Sequence, residues 1–403
     1  MKVGILRETK TPPDKRVPLT PEQCVEVQKT FPNVEIIVQP SPVRSFTDVE
    51  YSSLGIRVKE DLTDCDILLG VKEVGIENLI PGKIYLFFSH TIKKQVYNRK
   101  LLQTVLQKNI QLIDYEVLTS REGFRIIGFG RFAGLVGAYS GLRAFGLRNQ
   151  LFDIKPAHLC NHLEEMLSIL DTVELPPVKI AVTGDGRVAG GVLEILNHMK
   201  IMRVSPETYL KNTKIQKPVY SQLLPVNYAK RKDNEPFDLM HFFKHPQMYE
   251  NAFLPFAKVT DILIAAAYWD PKAPVLFTAD DMKQSDFKIS VISDITCDIE
   301  GSIPSTKRAA TIDEPFYDYN PETGELEPPF TSKKNVSVQA VDNLPNELPK
   351  DASLDFGRSL IDKVFPSLFG EDSDAIIERA SITKNGKLTR RFLYLQDFAN
   401  NNE

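Results

Sequence analysis

A glycine-rich turn near the middle of the chain constrains its fold more than any other feature. An apolar run at 178–183 leads directly into Gly184-x-Gly186-x-x-Ala189, and an apolar-periodic segment follows at 192–199. In a dinucleotide-binding βα turn, the first glycine permits the tight turn, the second admits the pyrophosphate, and the small third residue lets helix and strand pack closely. The new helix offers N–H groups and a positive dipole end, with Arg187 in its first turn. The pattern predicts a dinucleotide-binding domain; a strand–helix turn without a ligand is the alternative.

Length and composition limit the classes of protein that fit. A chain of 403 residues is expected to form two domains, and 42% hydrophobic with 25% charged residues is typical of a globular protein. The net charge of −4 gives no reason to expect nucleic acid or an anionic membrane as partner, and no apolar run is long enough to span a bilayer. The chain opens on a strand-like run, so no signal peptide is expected. Four scattered cysteines without a CxxC pair favour a reducing, cytoplasmic compartment.

Short strand-like runs alternate with amphipathic segments along the first third of the chain. The runs lie at 2–6, 34–38, 67–71, 84–88 and 110–114. Amphipathic segments such as 21–30 and 93–107 lie between them, and this alternation predicts βαβ units around a mostly parallel sheet. Residues 132–147 are rich in Ala, Gly and Leu, which predicts a buried helix before the second α/β region.

The second region contains the glycine turn and further buried-strand candidates at 261–267 and 288–292. The stretches 207–250 and 318–334 are polar, and we expect irregular structure in the first and an exposed loop in the second. The C-terminal part predicts a strand at 336–341 followed by helices at 352–365 and 372–380. We therefore expect an α/β protein of two Rossmann-like domains with parallel sheets and an active-site cleft between them. Residues 1–135 plus 335–403 would form the substrate domain and 136–334 the dinucleotide domain.

Ionisable residues follow four strands of the first region, at the point where each strand ends. These groups are Arg7 to Arg16, Lys72-Glu73, Ser89-His90 and Asp114-Tyr115-Glu116. Ligands of open α/β sheets bind outside the carboxyl ends of the strands, so these side chains are expected to share one site. A solvated rim is the alternative for any one of them alone.

The residue types in this cluster suit chemistry on an amine that carries carboxylates. Arg16, Arg125 and Arg131 offer bidentate forks for carboxylates. Lys72, His90 and Glu116 are groups whose pKa burial and neighbours can tune for proton transfer. No metal site is expected, because Cys160-Asn-His162 is too isolated to form a ligand set.

Several motifs together resemble one family. The chain is similar to the lysine–2-oxoglutarate reductase and saccharopine dehydrogenase (lysine-forming) group, within the alanine dehydrogenase and transhydrogenase superfamily. The motifs are Arg7-Glu-Thr-Lys10, Leu69-Gly-Val-Lys72, Phe87-Phe-Ser-His90, Leu112-Ile-Asp-Tyr-Glu116, Gly123-Phe-Arg125, Ala267-Tyr-Trp-Asp270, Asp294-Ile-Thr-Cys-Asp298 and Ile382-Thr-Lys-Asn-Gly-Lys387. The resemblance covers almost the whole chain, least clearly at 209–243.

The resemblance implies a role for each residue of the cluster. Lys72 and His90 would be the acid–base pair, and Glu73 and Glu116 would tune them; plain ion pairing is the alternative for both glutamates. Arg16 and Arg125 would hold substrate carboxylates. Asp298 would lie near the nicotinamide or cap a helix. The reaction implied is reversible NAD(P)-dependent formation of saccharopine from lysine and 2-oxoglutarate.

The cofactor and the substrate keep alternatives open. An acidic residue for the ribose is expected about 20 residues after the glycine turn, but the strand there has Arg203 and Ser205, with Glu207 slightly beyond. Arg203 and Ser205 would accept a 2′-phosphate, which favours NADP over NAD. An alanine dehydrogenase-like or other opine-type enzyme, and a non-catalytic dinucleotide-binding protein, are the alternatives for function. Nothing in the sequence specifies the subunit number.

Overall fold

The computed structural model describes residues 1–212 and 214–401. The chain divides into two compact units, Met1–Phe129 with Pro349–Glu403, and Gly130–Leu348. The sequence places the boundaries at 135/136 and 334/335, which are 6 and 14 residues away from those of the structure. The difference arises because the helix that starts at Gly130 and the strand that starts at Val336 both belong to the second unit.

The described strands are, in chain order, β1 Lys2–Ile5, β2 Glu35–Val38, β3 Arg57–Val58, β4 Ile67–Leu69, β5 Ile84–Phe87, β6 Gln111–Asp114, β7 Lys179–Thr183, β8 Met202–Arg203, β9 Val219–Leu223, β10 Ala229–Arg231, β11 Tyr249–Asn251, β12 Ile262–Ala265, β13 Val291–Asp294, β14 Phe316–Tyr319, β15 Leu326–Glu327, β16 Val336–Gln339, β17 Ser381–Lys384 and β18 Lys387–Leu388.

The α-helices are α1 Pro21–Thr30, α2 Asp48–Ser53, α3 Val96–Gln107, α4 Gly130–Asn149, α5 Leu163–Leu170, α6 Arg187–His198, α7 Pro206–Lys211, α8 Pro225–Tyr228, α9 Leu239–Lys244, α10 Leu254–Ala257, α11 Ala279–Met282, α12 Pro349–Lys363, α13 Phe365–Phe369, α14 Ile376–Ala380 and α15 Gln396–Asn400. Short 3₁₀ helices lie at Ile76–Asn78, Thr91–Lys93, Tyr115–Val117, Ala157–Leu159, Pro246–Met248, Leu344–Glu347 and Arg390–Leu395. Within the described ranges, no helix has the length and apolar character that a bilayer crossing requires.

The first unit contains an eight-stranded sheet in the order β18-β17-β6-β5-β4-β1-β2-β3. The strands β1 to β6 run parallel, and the late strand β17 pairs antiparallel with β6. The five strand-like runs predicted for this region are confirmed as β1, β2, β4, β5 and β6. Their apolar, β-branched residues are buried on both faces, as parallel strands covered by helices require. The helix α1 begins at a capping box between Thr20 and Gln23, with Pro21 in the first turn.

The second unit contains another eight-stranded sheet, in the order β15-β14-β16-β13-β12-β7-β9-β8. Across this sheet, the neighbouring strands β8, β9, β7, β12, β13 and β16 all pair in parallel. The strands β14 and β15 add antiparallel pairs at one edge. The predicted α/β class with two largely parallel sheets is confirmed. The strand after β7 in the chain, β8, does not lie next to it; β9 lies between them.

Two polar stretches are more ordered than the sequence suggests. We expect irregular structure at 207–250, yet this stretch contains β9, which is buried beside β7 in the centre of the sheet. We expect an exposed loop at 318–334, yet β14 is fully buried and pairs with β15 and β16. The expectations fail at β9 and at the end of β14, because these strands carry polar residues whose side chains find partners inside the fold, such as Asp318 with Ser337 Oγ at 2.6 Å. Most of 320–334 is exposed, as expected.

The predicted buried helix is confirmed as α4, which packs closely on α6. A Cβ atom on Gly134 would lie 1.9 Å from the carbonyl oxygen of Val188, and one on Gly191 would lie 2.0 Å from that of Arg131. The two backbones therefore touch where both helices carry glycine. Arg131 also forms a two-pronged pair with Glu194 of α6, so its fork is already occupied.

Candidate active site

The carboxyl ends of β4, β5 and β6 lie side by side in the first sheet. The three strands are neighbours in parallel register, with Leu69 opposite Leu86 and Phe87 opposite Asp114. The residues that follow these strands therefore meet at one edge, as the sequence predicts. The edge carries, in order across the sheet, Lys72 and Glu73, then His90, then Glu116.

His90 and Glu73 form the closest contact of this edge. The imidazole Nδ1 lies 2.5 Å from Glu73 Oε1, and the other carboxylate oxygen accepts from Lys10 Nζ at 2.9 Å. Both side chains are mostly buried, with 18% and 11% exposed. Burial opposes ionisation of Glu73, but the hydrogen bonds from His90 and Lys10 outweigh it and lower the pKa of Glu73 to about 2. Glu73 is therefore an anion that fixes the orientation of the imidazole.

The backbone before Lys72 is held by Glu8, which follows β1. Glu8 Oε1 accepts from Val71 N at 2.7 Å and Oε2 accepts from Lys72 N at 2.9 Å. Burial and the nearby Asp14 raise the pKa of Glu8 to about 7, although the two amides and Arg16 oppose this. The sequence places Lys72 at this edge but does not show that Glu8 anchors it.

Glu116 pairs with a lysine from the neighbouring turn. Its Oε1 lies 3.2 Å from Lys93 Nζ, and its backbone N–H donates to Asp114 Oδ1 at 2.7 Å. Its second oxygen, Oε2, is buried and has no hydrogen-bond partner among residues 1–212 and 214–401. A buried acceptor without a partner costs free energy, which a neighbouring water or donor group would recover.

The two arginines predicted to bind substrate carboxylates differ in environment. Arg16 is 3% exposed, and its Nε and Nη2 both donate to Asp14, at 2.9 and 2.5 Å. The guanidinium of Arg16, which is expected to bind a substrate carboxylate, is thus already paired with a protein carboxylate. Arg125 is exposed. The guanidinium of Arg16 stacks on Phe129 and that of Arg125 on Phe88, within one aromatic cluster.

In the second unit, the glycine turn has the geometry that a dinucleotide needs. Gly184 has φ +92°, and a Cβ there would lie 3.0 Å from Ala267 Cα, so only glycine fits the turn. At Gly186, the N-cap of α6, a Cβ would have no atom within 4 Å, which leaves room for a pyrophosphate. Arg187 is exposed in the first turn of α6, and Ala189 is fully buried against the sheet. These residues fit the phosphates of a dinucleotide.

The strand beside this turn is β9, not the strand that carries Arg203 and Ser205. Gly184 N donates to Leu223 O at 2.9 Å, at the end of β9. Gln222 of β9 donates through Nε2 to Gly184 O at 2.8 Å, and its Oε1 accepts from Arg203 Nη2 at 2.7 Å. Gln222 cannot be recognised from the sequence, because β8 is the next strand in the chain while β9 is the next strand in the sheet.

The two residues predicted to accept a 2′-phosphate therefore differ in their relation to the glycine turn. Arg203 reaches the glycine turn through Gln222, whereas Ser205 is the N-cap of α7 and accepts from Thr208 N at 3.2 Å. Ser205 thus has a local structural partner that explains its presence.

Asp298 lies in the loop after β13. It is exposed, and its carbonyl oxygen accepts from Gly301 N at 2.9 Å, so it lies in a turn and caps no helix. The preceding Asp294 is buried and organises this loop by accepting from Thr296 Oγ1 and Thr306 Oγ1, each at 2.6 Å. In the described parts of the chain, no group of three or more His, Cys, Asp or Glu residues is arranged to hold a metal ion.

Comparison with known proteins supports the same family as the motifs. Residues 4–136 match the family model described as alanine dehydrogenase/PNT, N-terminal domain. The α-aminoadipic semialdehyde synthase of Arabidopsis thaliana is 31% identical over 438 residues, which cover 98% of this chain and 41% of that protein. The saccharopine dehydrogenase [NAD(+), L-lysine-forming] of Emericella nidulans is 24% identical and is matched over 89% of this chain and 90% of its own length. Over nearly its whole length the chain is similar to proteins named as α-aminoadipic semialdehyde synthase and lysine-forming saccharopine dehydrogenase, and residues 4–136 match the alanine dehydrogenase/PNT N-terminal family.

These relatives differ in length. The chain spans less than half of the Arabidopsis relative and 48% of the related synthase of Mus musculus, but nearly all of the fungal one. Among solved structures, an L-alanine dehydrogenase superposes with a TM-score of 0.64 over 99% of this chain and 100% of its own, at 14% identity. This likeness confirms the fold.

Proposed function

We propose that this chain catalyses the reversible, NAD(P)-dependent interconversion of saccharopine with lysine and 2-oxoglutarate. The observation that carries the proposal is the chain of contacts Lys10–Glu73–His90 on the strand edge that also presents Lys72. An imidazole oriented by an ionised carboxylate is suited to proton transfer, and amine oxidation requires such a group. The names of the similar proteins supply the substrates.

In the oxidative direction, saccharopine, NAD(P)⁺ and water give lysine, 2-oxoglutarate, NAD(P)H and a proton. A bound dinucleotide supplies the hydride acceptor, and the turn Gly184–Ala189 would hold its phosphates. Lys72 or His90 accepts the proton of the secondary amine, and the same pair then activates water at the imine carbon and protonates the departing lysine amine. Because His90 Nδ1 faces Glu73, the imidazole exchanges protons with the substrate through Nε2.

The remaining residues of the edge have supporting roles in this proposal. Glu73 and Glu116 set the electrostatic environment of the acid–base pair. Arg125 binds a substrate carboxylate, whereas Arg16 forms a buried ion pair with Asp14 that carries no net charge. Asp298 lies toward the nicotinamide end of the cofactor.

A spectrophotometric assay at 340 nm tests the proposal in both directions. We expect oxidation of NAD(P)H to require lysine and 2-oxoglutarate together, and saccharopine to reduce NAD(P)⁺. Faster turnover with pyruvate and ammonia would replace the proposal with an alanine dehydrogenase-like activity. Tight dinucleotide binding without turnover on any amino-acid and keto-acid pair would indicate a non-catalytic protein.

We further propose that NADP(H) is preferred over NAD(H). The strand beside the glycine turn ends in Gln222-Leu223-Leu224-Pro225 and so has no carboxylate for a ribose 2′-hydroxyl. Gln222 instead connects the turn to the Arg203 guanidinium, a group suited to a 2′-phosphate.

The cofactor proposal predicts a selective effect of Arg203→Gln. The variant should bind NADPH at least about tenfold more weakly, because a charge-assisted hydrogen bond contributes about 1.5–3 kcal/mol, and its affinity for NADH should barely change. Lys217→Gln removes one positive charge from the opposite end of β9 and should affect neither. Equal losses for both dinucleotides in Arg203→Gln would contradict the proposal; fluorescence titration measures both.

We also propose that the protein is cytoplasmic. All four cysteines have free thiols in the structure, as is usual in a reducing compartment.

A further inference from the structure

A buried carboxylate lies directly behind the strand edge that carries His90 and Glu116. Asp114, the last residue of β6, is 0% exposed. Its Oδ2 accepts from Ser89 N at 3.1 Å and from Ser89 Oγ through a short hydrogen bond. Its Oδ1 accepts from Glu116 N at 2.7 Å. One carboxylate thus connects the ends of two neighbouring strands.

The residue between the anchored positions has an unusual backbone conformation. His90 has φ 54° and ψ 9°, in the left-handed region that residues with a Cβ rarely adopt. Both neighbours of His90 are connected by hydrogen bonds to Asp114, Ser89 directly and Thr91 through Ser89. Ser89 Oγ bonds Asp114 directly, accepts from Thr91 N at 3.3 Å, and lies 2.8 Å from Thr91 Oγ1. Such a conformation persists only where surrounding contacts impose it.

We propose that Asp114 is a positioning residue that, through Ser89 and Thr91, holds His90 in its left-handed conformation and so sets the imidazole against Glu73. The same carboxylate fixes the backbone of Glu116. The importance of this position for turnover rests on the function proposed above for His90.

The burial of Asp114 supports this role and excludes a direct one. With no exposed surface, Asp114 touches no substrate and exchanges no proton with one. Burial raises the pKa of Asp114, and the hydrogen bonds from Ser89 and Glu116 oppose that rise. A carboxylate costs more to bury than an apolar residue of the same size, but it accepts from several donors at once. An asparagine has only one acceptor oxygen and cannot satisfy all three donors in the same way.

The experiment observes the His90–Glu73 hydrogen bond directly by NMR. Protein labelled with ¹⁵N only in its six histidines is examined for the ring N–H proton of His90, which should resonate far downfield because it lies in a short hydrogen bond to a carboxylate. The signal is assigned by its loss in His90→Gln. In Asp114→Asn we expect this signal to broaden or move upfield.

Kinetic measurements on the same variant distinguish a displaced His90 from a general loss of stability. We expect kcat to fall by about 10²-fold, the cost of a misplacement on the order of 1 Å, with unchanged dinucleotide affinity. The control is Asp318→Asn, which alters another fully buried Asp–Ser pair, in β14 of the second unit. It should lower stability and leave the His90 signal and kcat unchanged.

If Asp114→Asn does not fold, Ser89→Ala provides the test, because it removes only the hydroxyl that links Asp114 to Thr91. A folded variant of either kind with an unchanged His90 signal would overturn the proposal. The NMR readout needs no turnover, so it tests the positioning of His90 even if the proposed reaction is refuted by the assays.

Discussion

Glu8 is buried and accepts two backbone hydrogen bonds, and these two features shift its pKa in opposite directions. In the folded protein the pKa of Glu8 is raised from 4.5 to about 7. A carboxyl group with a raised pKa in the folded state keeps its proton after the unfolded chain has lost it. The unfolded state therefore binds fewer protons between pH 4.5 and 7, and the free energy of unfolding falls as pH rises through this window.

The magnitude follows from the size of the rise. At about 1.4 kcal/mol per pKa unit, Glu8 contributes up to roughly 3 kcal/mol of stability below pH 4.5, which is lost by pH 7 and stays lost above it. Glu8→Gln abolishes this titration. The difference in unfolding free energy between wild type and variant should therefore shrink by that amount from pH 4.5 to pH 7 and then stay level.

Urea unfolding at pH 4.5, 5.5, 6.5, 7.5 and 8.5 measures the difference, in which the contributions of all other titrating groups cancel. Glu164→Gln, in the first turn of α5, serves as the control, because Glu164 is exposed. A constant difference between wild type and Glu8→Gln would refute the reasoning, since it would mean that Glu8 ionises alike in both states.

Three further predictions address the site and the fold. Lys72→Met and His90→Gln should each reduce turnover by about 10²–10⁴ with unchanged dinucleotide affinity, and His90→Gln should remove one limb of the pH–rate profile; near-normal turnover in both would exclude them as the acid–base pair. Arg125→Gln should mainly raise the KM for a carboxylate substrate, and a fall in kcat alone would contradict this. Gly134→Ala should lower the thermal midpoint by an amount equivalent to about 1–3 kcal/mol, because its Cβ would overlap Val188, whereas Gly190→Ala, with no atom within 4 Å of the new Cβ, should not.

The sequence predicts those parts of the fold in which one local pattern determines the outcome. The strands of the first sheet are read correctly because they are short apolar runs bounded by polar residues, as buried parallel strands require. The shared strand edge follows, because Lys72, His90 and Glu116 each come just after such a run. The Gly184 turn is predicted because a positive φ beside a close neighbour needs glycine.

The remaining features depend on contacts between distant segments. The order of β8 and β9 is not encoded in either strand, since both are compatible with the position beside β7 until the sheet is assembled. The pairing of Arg16 with Asp14 is not visible either, because an arginine that binds substrate and one that binds a neighbour look alike in a sequence. Glu8 and Asp114 leave only a weak signal, an acidic residue at the end of a buried strand.

The pairing of β17 with β6 has a consequence for how the polypeptide leaves the ribosome. Residues 130–348 are contiguous and can close their sheet while synthesis continues, but Leu112 and Ile113 must wait for partners at 381–383 that are made some 270 residues later. During this interval the outer edge of β6 is an unpaired strand, the kind of surface that pairs with other chains. Nascent chains stalled before residue 381 should therefore depend more heavily on chaperones than chains released after residue 388.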